Sequence, residues 1–342
     1  MKCDVVIIGA GPGGLHCGRI LAASGADTLI IERRPRPGKK VCAGGITWRG
    51  LIKTVPEELI ERRFNRQVIT TRYQRTHVEE TVPVVATVNR AALGTYMAER
   101  AERAGARIIC GARAHTLEPR RLCYAKDGRE HRIEFDYLVG ADGSNSAVRK
   151  YTGMADRVPK GIGIQYVIDN FSAEDMLWNF DGKLFGSGYS WIFPHRNQTS
   201  IGAYIGVPGI SAQQLKKRLH RWADERHIDI SGCRFEADLI NWDYRGWKFG
   251  HTFLVGDAAG LASPLTGEGI NPAIVSGEAV ARTIIEPGCT TDQLDAIIRR
   301  HRSHKKMLKT AAKSPIVSTI LAEICAVLLR FKLVGFDRFE MA

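Results

Sequence analysis

Residues 4–14 read Asp-Val-Val-Ile-Ile-Gly-Ala-Gly-Pro-Gly-Gly, an apolar run that ends in glycines. The first five residues are typical of a parallel strand that is buried on both faces. The glycines have the spacing G-x-G-x-x-G. In this motif Gly9, Gly11 and Gly14 allow a tight turn, a close approach of the backbone to a pyrophosphate, and close packing of the following helix. The stretch therefore predicts the start of a dinucleotide-binding fold.

The residues after this turn predict a βαβ unit. A helical pattern runs from Gly13 to about Ser24, and a second apolar strand follows at residues 28–31. The start of such a helix presents free N–H groups and the positive end of its dipole to a phosphate. Glu32 ends the second strand, where a carboxylate accepts hydrogen bonds from a ribose hydroxyl in this fold. NAD and FAD share this fingerprint, so it does not distinguish the two cofactors.

The composition is that of an ordinary soluble globular protein. Of the 342 residues, 44% are hydrophobic and 25% are charged. The N-terminus lacks the pattern of a signal peptide, and no apolar run reaches the ~20 residues of a membrane-spanning helix. The eight cysteines are scattered without a C-x-x-C pair, which argues against zinc, iron–sulfur and disulfide frameworks. We therefore expect a cytoplasmic protein with reduced thiols and no bound metal.

The formal net charge of +13 is partly concentrated between Arg299 and Lys313, where seven Lys and Arg residues alternate with His301 and His304. Such a stretch suits nucleic acid, an anionic membrane surface or a phosphorylated substrate, and equally a solvated helix face. A nucleic-acid role depends on charge alone and is the least favoured of these.

The rest of the chain predicts helices and strands around an inserted β-rich region. Further strands are expected at 107–110, 131–139 and 252–255, and helices at 89–105 and 270–285. Between about 161 and 239, short alternating stretches broken by Gly, Asn and Asp are typical of an antiparallel sheet. Residues 292–334 predict helices that are interrupted at Ser314-Pro315.

Three further segments resemble the FAD-dependent oxidoreductases, a large family that includes aromatic hydroxylases, flavin halogenases and geranylgeranyl reductases. Arg90 matches the family's arginine that approaches the FAD phosphates and ribose. Residues 140–149, Gly-Ala-Asp-Gly-Ser-Asn-Ser-Ala-Val-Arg, match its D-G-x-x-S-x-x-R segment. Gly256-Asp257-Ala258-Ala259 matches its second fingerprint, in which the Asp hydrogen-bonds the ribityl chain. The resemblance implies that the dinucleotide is FAD.

The segment after Asp257 predicts the place of the flavin ring. Residues 264–270, Pro-Leu-Thr-Gly-Glu-Gly-Ile, carry glycines that let the backbone approach a planar ring. A helix that starts near Ile270 would point its N-terminus at this ring and favour negative charge on the reduced flavin.

Two segments point to one branch of the family. Residues 264–270, followed by Ser276-Gly277-Glu278, look like the corresponding run of geranylgeranyl reductases, whereas aromatic hydroxylases usually have Asp at the position of Ser276. Residues 37–45, Pro-Gly-Lys-Lys-Val-Cys-Ala-Gly-Gly, are similar to that branch's cysteine loop, with Ala43 in place of a glycine.

A third segment carries an aromatic pattern. Residues 189–194, Tyr-Ser-Trp-Ile-Phe-Pro, fit that branch's Y-x-W-x-F-P motif, and halogenases carry W-x-W-x-I-P in a comparable place. In a strand Tyr189, Trp191 and Phe193 share one face, which predicts either an apolar cavity wall beside the flavin or an ordinary buried sheet face. Cys42, Tyr189 and Trp191 are therefore the candidate catalytic residues. His195 is a weaker candidate acid, because an isolated histidine is more often structural.

Two features depart from the geranylgeranyl reductase pattern. Its aromatic motif continues to a G-x-G, of which Gly202 is present but Tyr204 replaces the second glycine. The chain also leaves little room for the C-terminal helical domain that helps to close the isoprenoid tunnel in that family. The first feature predicts a cavity of different shape, and the second argues against a full-length prenyl substrate.

Together these features predict an α/β fold, with a Rossmann-like FAD-binding domain, an inserted antiparallel-sheet substrate domain and a short helical C-terminal tail. The expected pieces are 1–75, 89–155 and 245–290 for the discontinuous FAD-binding domain, 76–88 and 156–244 for the β-rich domain, and 291–342 for the tail. The predicted cofactor-binding residues are Gly9, Gly11, Pro12, Gly13, Gly14, Glu32, Arg33, Cys42, Ala43, Gly44, Arg90, Asp142, Gly143, Gly256, Asp257, Pro264, Gly267, Gly269 and Ile270.

The resemblance implies an FAD-dependent oxidoreductase that reduces C=C bonds of an isoprenoid or similar apolar substrate by hydride transfer from reduced flavin. The alternatives are a flavin monooxygenase or halogenase, and a non-enzymatic redox or electron-transfer protein. Only one dinucleotide fingerprint is present, so we expect NAD(P)H to bind transiently or another carrier to supply electrons. The basic segment 299–313 and the apolar stretch 316–333 predict peripheral contact with an anionic membrane.

Overall fold

The computed structural model describes residues 2–38, 40–48, 55–154, 160–171, 173–207 and 209–341. Lys39 of the predicted cysteine loop and the predicted domain boundary at 155–156 lie outside these ranges. Within them the strands are β1 (Lys2–Ile8), β2 (Thr28–Glu32), β3 (Gly45–Thr47), β4 (Ile60–Phe64), β5 (Arg66–Thr71), β6 (Arg75–Glu79), β7 (Val85–Val88), β8 (Arg107–Cys110), β9 (Arg113–Glu118), β10 (Arg121–Lys126), β11 (Arg129–Gly140), β12 (Gly161–Asp169), β13 (Met176–Phe180), β14 (Tyr189–Pro194), β15 (Gln198–Ile205), β16 (Arg234–Ile240), β17 (Lys248–Phe249) and β18 (Thr252–Leu254).

The helices over the same ranges are α1 (Pro12–Ala23), α2 (Arg90–Arg103), α3 (Ala147–Tyr151), α4 (Gly182–Phe185), α5 (Ala212–Asp224), α6 (Gly256–Ala259), α7 (Ile270–Ile285), α8 (Asp292–Ala311) and α9 (Pro315–Arg330). Short 3-10 turns occupy Glu57–Leu59 and Phe336–Phe339. In the part of the chain that the structure describes, no helix combines the length and apolarity needed to cross a bilayer.

The first sheet contains the predicted dinucleotide-binding strands. Its order is β17-β18-β11-β1-β2-β8, with β9 and β10 extending from β11. The β1 strand pairs in parallel with both β2 and β11. Val5, Val6 and Ile7 are fully buried because α1 and its neighbours cover one face and a second apolar cluster covers the other. The predicted βαβ unit is thus formed by β1, α1 and β2.

The second sheet forms the inserted β-rich part. Its order is β16-β12-β15-β14-β13-β5-β6, and its pairs are antiparallel except for the parallel pair β13–β5. All six residues of β14 are buried. Ile192 points into an apolar cluster with α5, whereas Tyr189 and Trp191 belong to a cluster on the opposite face. A smaller sheet has the order β3-β7-β4. The predicted α/β fold class, with an inserted β-rich part and a helical C-terminal region, is confirmed.

One predicted domain boundary does not follow the strand pairing. The β5 strand falls within the piece 1–75, but it forms a hairpin with β6 in the second sheet. A boundary at residue 75 divides this hairpin. We therefore propose that the first piece of the nucleotide-binding domain ends near residue 65.

The helix α9 packs against the second sheet, whereas α8 contributes Leu294, Ile297 and Ile298 to an apolar cluster of the first sheet. Ser314 caps α9 by accepting a hydrogen bond from the Val317 N–H at 3.2 Å, and Pro315 occupies the first turn, so the predicted interruption between α8 and α9 lies there. Leu329 of α9 contacts an apolar cluster with Ile69 of β5 and Val78 of β6. The C-terminal region is therefore part of the core around the cavity.

Candidate cofactor and substrate site

A cavity of about 920 Å³ lies among the two large sheets and the C-terminal helices. Its lining includes residues 11–14 of the glycine motif, the aromatic residues of β14, and side chains of α8 and α9. The motifs that the sequence singled out are therefore brought together around one space.

The glycine motif forms the wall of the cavity at the start of α1. A Cβ atom on Gly14 would lie 2.1 Å from the Gly9 carbonyl oxygen, so only glycine allows this approach of helix and strand. Gly11 is the N-cap residue of α1, and no side chain caps the helix. The first N–H groups of the helix are therefore free to bind a phosphate.

Glu32 and Arg33 are placed differently from the other predicted cofactor residues. The Glu32 carboxylate accepts hydrogen bonds from the backbone N–H of Ala10 at 2.7 Å and of Arg34 at 2.8 Å. Arg33 is exposed. Neither residue is among the described residues that line the cavity. Glu32 thus stabilises the glycine turn through the Ala10 N–H, and its contact with a ribose stays a prediction.

Arg90 presents unpaired donors to the cavity. It is the first residue of α2, which Asn89 caps by accepting from the Ala91 and Ala92 N–H groups. Its Nε and Nη1 atoms are buried and have no hydrogen-bond partner among the described residues. Burial lowers the pKa of this guanidinium. Because buried donors are normally satisfied, this arrangement fits a phosphate-bearing ligand.

The segment 140–149 mainly holds backbone in place. The Asp142 carboxylate accepts from the Ala147 N–H at 2.6 Å and from the Ser146 hydroxyl, and burial raises its pKa. Arg149 is fully buried and lies 3.2 Å from the Asp243 carboxylate. Asp142 and Gly143 were both predicted to bind the cofactor. Gly143 lines the cavity, whereas Asp142 is not among its described lining residues.

Asp257 has two partners that the sequence did not suggest. Its Oδ2 atom accepts from Lys40 Nζ at 2.6 Å and from the Ser144 hydroxyl at 3.0 Å. Desolvation, which lowers the pKa of Lys40, is outweighed by the Asp257 carboxylate, so this pKa is raised. Both Asp257 and Lys40 line the cavity, where a polyol chain would compete for the carboxylate.

The loop 264–270 is held by two tyrosines of the second sheet. The Tyr204 hydroxyl donates to the Pro264 carbonyl at 3.1 Å, and the Tyr189 hydroxyl donates to the Thr266 carbonyl at 2.6 Å. Burial raises the pKa of both phenols, so both stay protonated donors. Tyr204, which replaces a family glycine, thus fixes the loop and fills space in the cavity. The helix α7 begins at Ile270 without a side-chain cap.

Glu268 in this loop is a titratable group that sequence reasoning missed. It lines the cavity, and its Oε2 atom accepts from the Met341 N–H at 2.9 Å. Burial raises its pKa to about 7, although the hydrogen bond from the Met341 N–H acts in the opposite direction. The carboxyl is therefore partly protonated near neutral pH.

The cysteine loop and the aromatic row lie side by side, because Ala43 packs against the aromatic cluster. Cys42 and Ala43 line the cavity, but Gly44 is not among its described lining residues. Tyr189 and Trp191 are buried, line the cavity, and have ring centroids 5.8 Å apart. All three candidate catalytic residues are therefore at the cavity, and their roles in catalysis stay predictions.

The helices α8 and α9 complete the cavity wall. Residues such as Met307, Leu321, Ile324 and Leu329 contribute apolar side chains to it. The expectation that the chain leaves little room for a closing helical domain stays a prediction, since the structure shows only that side chains of both helices line the cavity.

Comparison with known proteins agrees with this geometry. The model of a family described as an FAD binding domain matches residues 2–178, slightly more than half of the chain. The chain belongs to this FAD-binding family. It is therefore a flavoprotein of the FAD-dependent oxidoreductases. The contacts of the α1 terminus and Arg90 with the FAD phosphates stay predictions.

The similarity extends to named reductases. This FAD-binding protein is 26% identical over 325 residues to digeranylgeranylglycerophospholipid reductase 1 of Methanopyrus kandleri, covering 88% of this chain and 85% of that one. A geranylgeranyl bacteriochlorophyll reductase-like structure from Thermoplasma acidophilum has a TM-score of 0.80 at 21% identity, and the match covers 99% of this chain and 97% of that one. The myxobacterial chondrochloren halogenase has a TM-score of 0.68 at 18% identity, and the match covers 98% of this chain and 91% of that one. The resemblance to geranylgeranyl reductases is confirmed, while the halogenase shares the fold.

Proposed function

We propose that this flavoprotein reduces carbon–carbon double bonds of an isoprenoid or similarly apolar substrate. The observation that carries the proposal is the continuous lining of one cavity by the FAD-fold glycines, the aromatic face of β14 and apolar side chains of α8 and α9. A mostly apolar cavity with a few polar groups favours an apolar ligand held beside the cofactor. The sequence similarity to named geranylgeranyl reductases points to the same substrate class.

FAD supplies a hydride when bound and reduced, and the protein supplies binding, orientation and exclusion of water. Arg90 and the start of α1 would hold the phosphates, and Asp257 the ribityl chain. The uncapped start of α7 would favour negative charge on the pyrimidine side of the ring. The aromatic row would hold the apolar chain of the substrate and keep water out.

Reduction of a double bond also needs a proton at the second carbon. Glu268 is our candidate source, because it lines the cavity and its pKa is raised to about 7. A group with a pKa near the working pH is the most effective general acid. Cys42, from the loop similar to the family's cysteine loop, is the second candidate in the same cavity.

The electron donor belongs to the same proposal. The chain has a single dinucleotide fingerprint. We therefore propose that NAD(P)H binds transiently, or that another reduced carrier delivers the electrons. Stopped-flow reduction of bound FAD by NADH, NADPH and a reduced ferredoxin under anaerobic conditions separates these donors.

The product identifies the reaction class. The protein with chemically reduced FAD is incubated anaerobically with a geranylgeranyl-bearing lipid, and the product is analysed by mass spectrometry. The proposal expects two added hydrogens for each reduced double bond without oxygen. Products that carry oxygen or halogen and form only in air would favour a monooxygenase or halogenase and contradict the proposal.

We also propose that α9 contacts an anionic membrane. Ile316, Ile320 and Ile324 are each more than half exposed on this helix. Lys306 of α8 and Ile324 are both exposed and both line the cavity, so the cavity reaches the surface beside basic and apolar side chains. Such a surface suits an anionic bilayer. His301 adds no charge at neutral pH, because burial lowers its pKa to about 4.

Vesicle sedimentation tests this contact. The protein is expected to bind phosphatidylglycerol vesicles at low salt and to dissociate at high salt. Ile320→Glu should weaken binding, whereas Val82→Glu, at an exposed apolar position outside α8 and α9, should not. Absence of binding at low salt, or equal effects of the two variants, would refute the contact.

A further inference from the structure

His195 contacts the cysteine loop and is not among the described residues that line the cavity. Its Nδ1 atom hydrogen-bonds the Glu61 carboxylate, and its Nε2 atom lies 2.9 Å from the Ala43 carbonyl oxygen. The imidazole is buried, and Glu61 is mostly buried. Each ring nitrogen therefore has an oxygen partner, a carboxylate on one side and a backbone carbonyl on the other.

The loop backbone lies directly against this ring. Gly44 has φ +79°, and a Cβ atom on it would be 2.5 Å from His195 Cε1. The Gly44 carbonyl in turn accepts from the Val88 N–H at 3.0 Å. Only glycine therefore allows the loop to follow this path across the imidazole.

The neighbouring carbonyl of the loop has its own buried donor. Gln165 Nε2 lies 3.4 Å from the Cys42 carbonyl oxygen and 2.7 Å from a Glu236 carboxylate oxygen. Gln165 Oε1 accepts from the Ser200 hydroxyl at 2.9 Å, and Ser200 accepts from Trp191 Nε1 at 2.9 Å. The cysteine loop is thereby connected to the aromatic row.

We propose that His195, paired with Glu61, is a positioning residue that fixes the Ala43 carbonyl and thereby the place of the Cys42 thiol beside the bound flavin. Cys42 lines the cavity, whereas His195 is not among its described lining residues. Both ring nitrogens are already engaged, so His195 acts through the loop and does not deliver a proton to the substrate. This inference rests on the proposed function for the importance of the Cys42 position. Its test does not, because it measures no turnover.

The two amide substitutions at this position separate the two contacts of the ring. The amide nitrogen of Gln overlaps the place of histidine Nε2, so His195→Gln retains the donor to Ala43. The amide of Asn overlaps the place of Nδ1, so His195→Asn retains only the contact with Glu61. His115→Gln is the matched control, because His115 pairs with Glu130 at 2.8 Å on the surface.

The test measures the thiol and the flavin of the FAD-loaded protein. Alkylation of Cys42 by iodoacetamide is followed by peptide mass spectrometry, together with the visible absorbance spectrum of bound FAD and the Kd for FAD. His195→Asn is expected to change the Cys42 alkylation rate by about fivefold, the factor for loss of one hydrogen bond, and to shift the flavin spectrum. His195→Gln and His115→Gln should stay close to the parent protein.

Equal behaviour of the Gln and Asn variants at position 195, whether both are altered or both are unchanged, would overturn the proposal. Thermal unfolding of each variant separates a loop effect from a loss of folding. These readouts need no turnover. If the thiol and spectral pattern is as expected but no double bond is reduced, the proposed function fails and the positioning role stands.

Discussion

The Lys40 ammonium lies 2.6 Å from the Asp257 carboxylate, although the two residues are 217 positions apart in the chain. Asp257 follows the strand β18, and Lys40 belongs to the loop that carries Cys42. This ion pair therefore joins the second FAD fingerprint to the cysteine loop, in the cavity where the ribityl chain is expected.

Replacing Asp257 is expected to weaken FAD binding. Asp257→Ala removes a charged acceptor and leaves Lys40 unpaired, so we expect FAD affinity to fall by about tenfold to a hundredfold, the range for a charge-assisted hydrogen bond. Quenching of flavin fluorescence on titration measures this affinity. Asp27→Asn, in a surface ion pair with Arg107, is the control and should leave it unchanged. Unaltered affinity in Asp257→Ala would exclude the predicted ribityl contact.

Replacing Arg90 is expected to have opposite effects with and without FAD. Its Nε and Nη1 atoms are buried without partners among the described residues, which destabilises the FAD-free fold. Arg90→Ala should therefore raise the Tm of the FAD-free protein and lower its affinity for FAD. Calorimetry of both forms measures this. Arg103→Ala, exposed on the same helix, should change neither. A lower Tm of the FAD-free Arg90→Ala protein would contradict the assignment.

Glu268 predicts a pH dependence of stability. Its pKa in the folded protein is about 7, against an ordinary 4.5, because burial raises it. The folded state thus holds the proton more tightly than the unfolded state, so stability is full below about pH 4.5 and falls as the pH rises to about 7. Glu268→Gln removes this loss and should gain about 3 kcal/mol near pH 8 but little near pH 4.

Urea unfolding of the FAD-free protein at both pH values measures this difference. Two neighbours also act on the pKa of Glu268: Glu340 raises it and Arg300 lowers it. The control is Glu99→Gln, at an exposed site on α2 that is far from these charges in the sequence. A gain of the same size at both pH values would show that Glu268 does not titrate in this range.

Tyr204 is expected to stabilise the loop beside the flavin through its hydroxyl. Tyr204→Phe leaves the buried Pro264 carbonyl without this donor and should cost about 1–2 kcal/mol of unfolding free energy. Phe235, an aromatic residue exposed on β16, offers a control: Phe235→Tyr should be near neutral. Chemical denaturation measures both. An unchanged stability of Tyr204→Phe would mean that the loop is held by other contacts.

Local patterns predicted the parts of the fold that local physics decides. The strand and glycines of residues 4–14 predicted β1 and the start of α1, because burial on both faces and the tight turn leave a recognisable sequence. The period of two in residues 189–194 predicted that Tyr189 and Trp191 share a face. Ser314-Pro315 predicted the interruption between α8 and α9, because Ser is a preferred N-cap residue and Pro a preferred residue of the first turn.

Contacts between distant segments were not predictable in this way. The sequence gives no local signal that Tyr204 meets Pro264, that Lys40 meets Asp257, or that α9 lines the cavity. Glu32 is a related case: its position matches the ribose-binding pattern, and its carboxylate also accepts from the Ala10 and Arg34 N–H groups, which the pattern did not predict. Tertiary packing decides which of several possible partners a polar group binds.

The most direct test of the proposed reaction is the anaerobic reoxidation of the reduced flavin. Photoreduced FAD-loaded protein is mixed without oxygen with a geranylgeranyl-bearing lipid or with its fully saturated analogue, and the absorbance of oxidised flavin is followed. The proposed function predicts reoxidation by the unsaturated lipid and none by the saturated one. A flavin that stays reduced with both lipids and is reoxidised only when oxygen is admitted would contradict it.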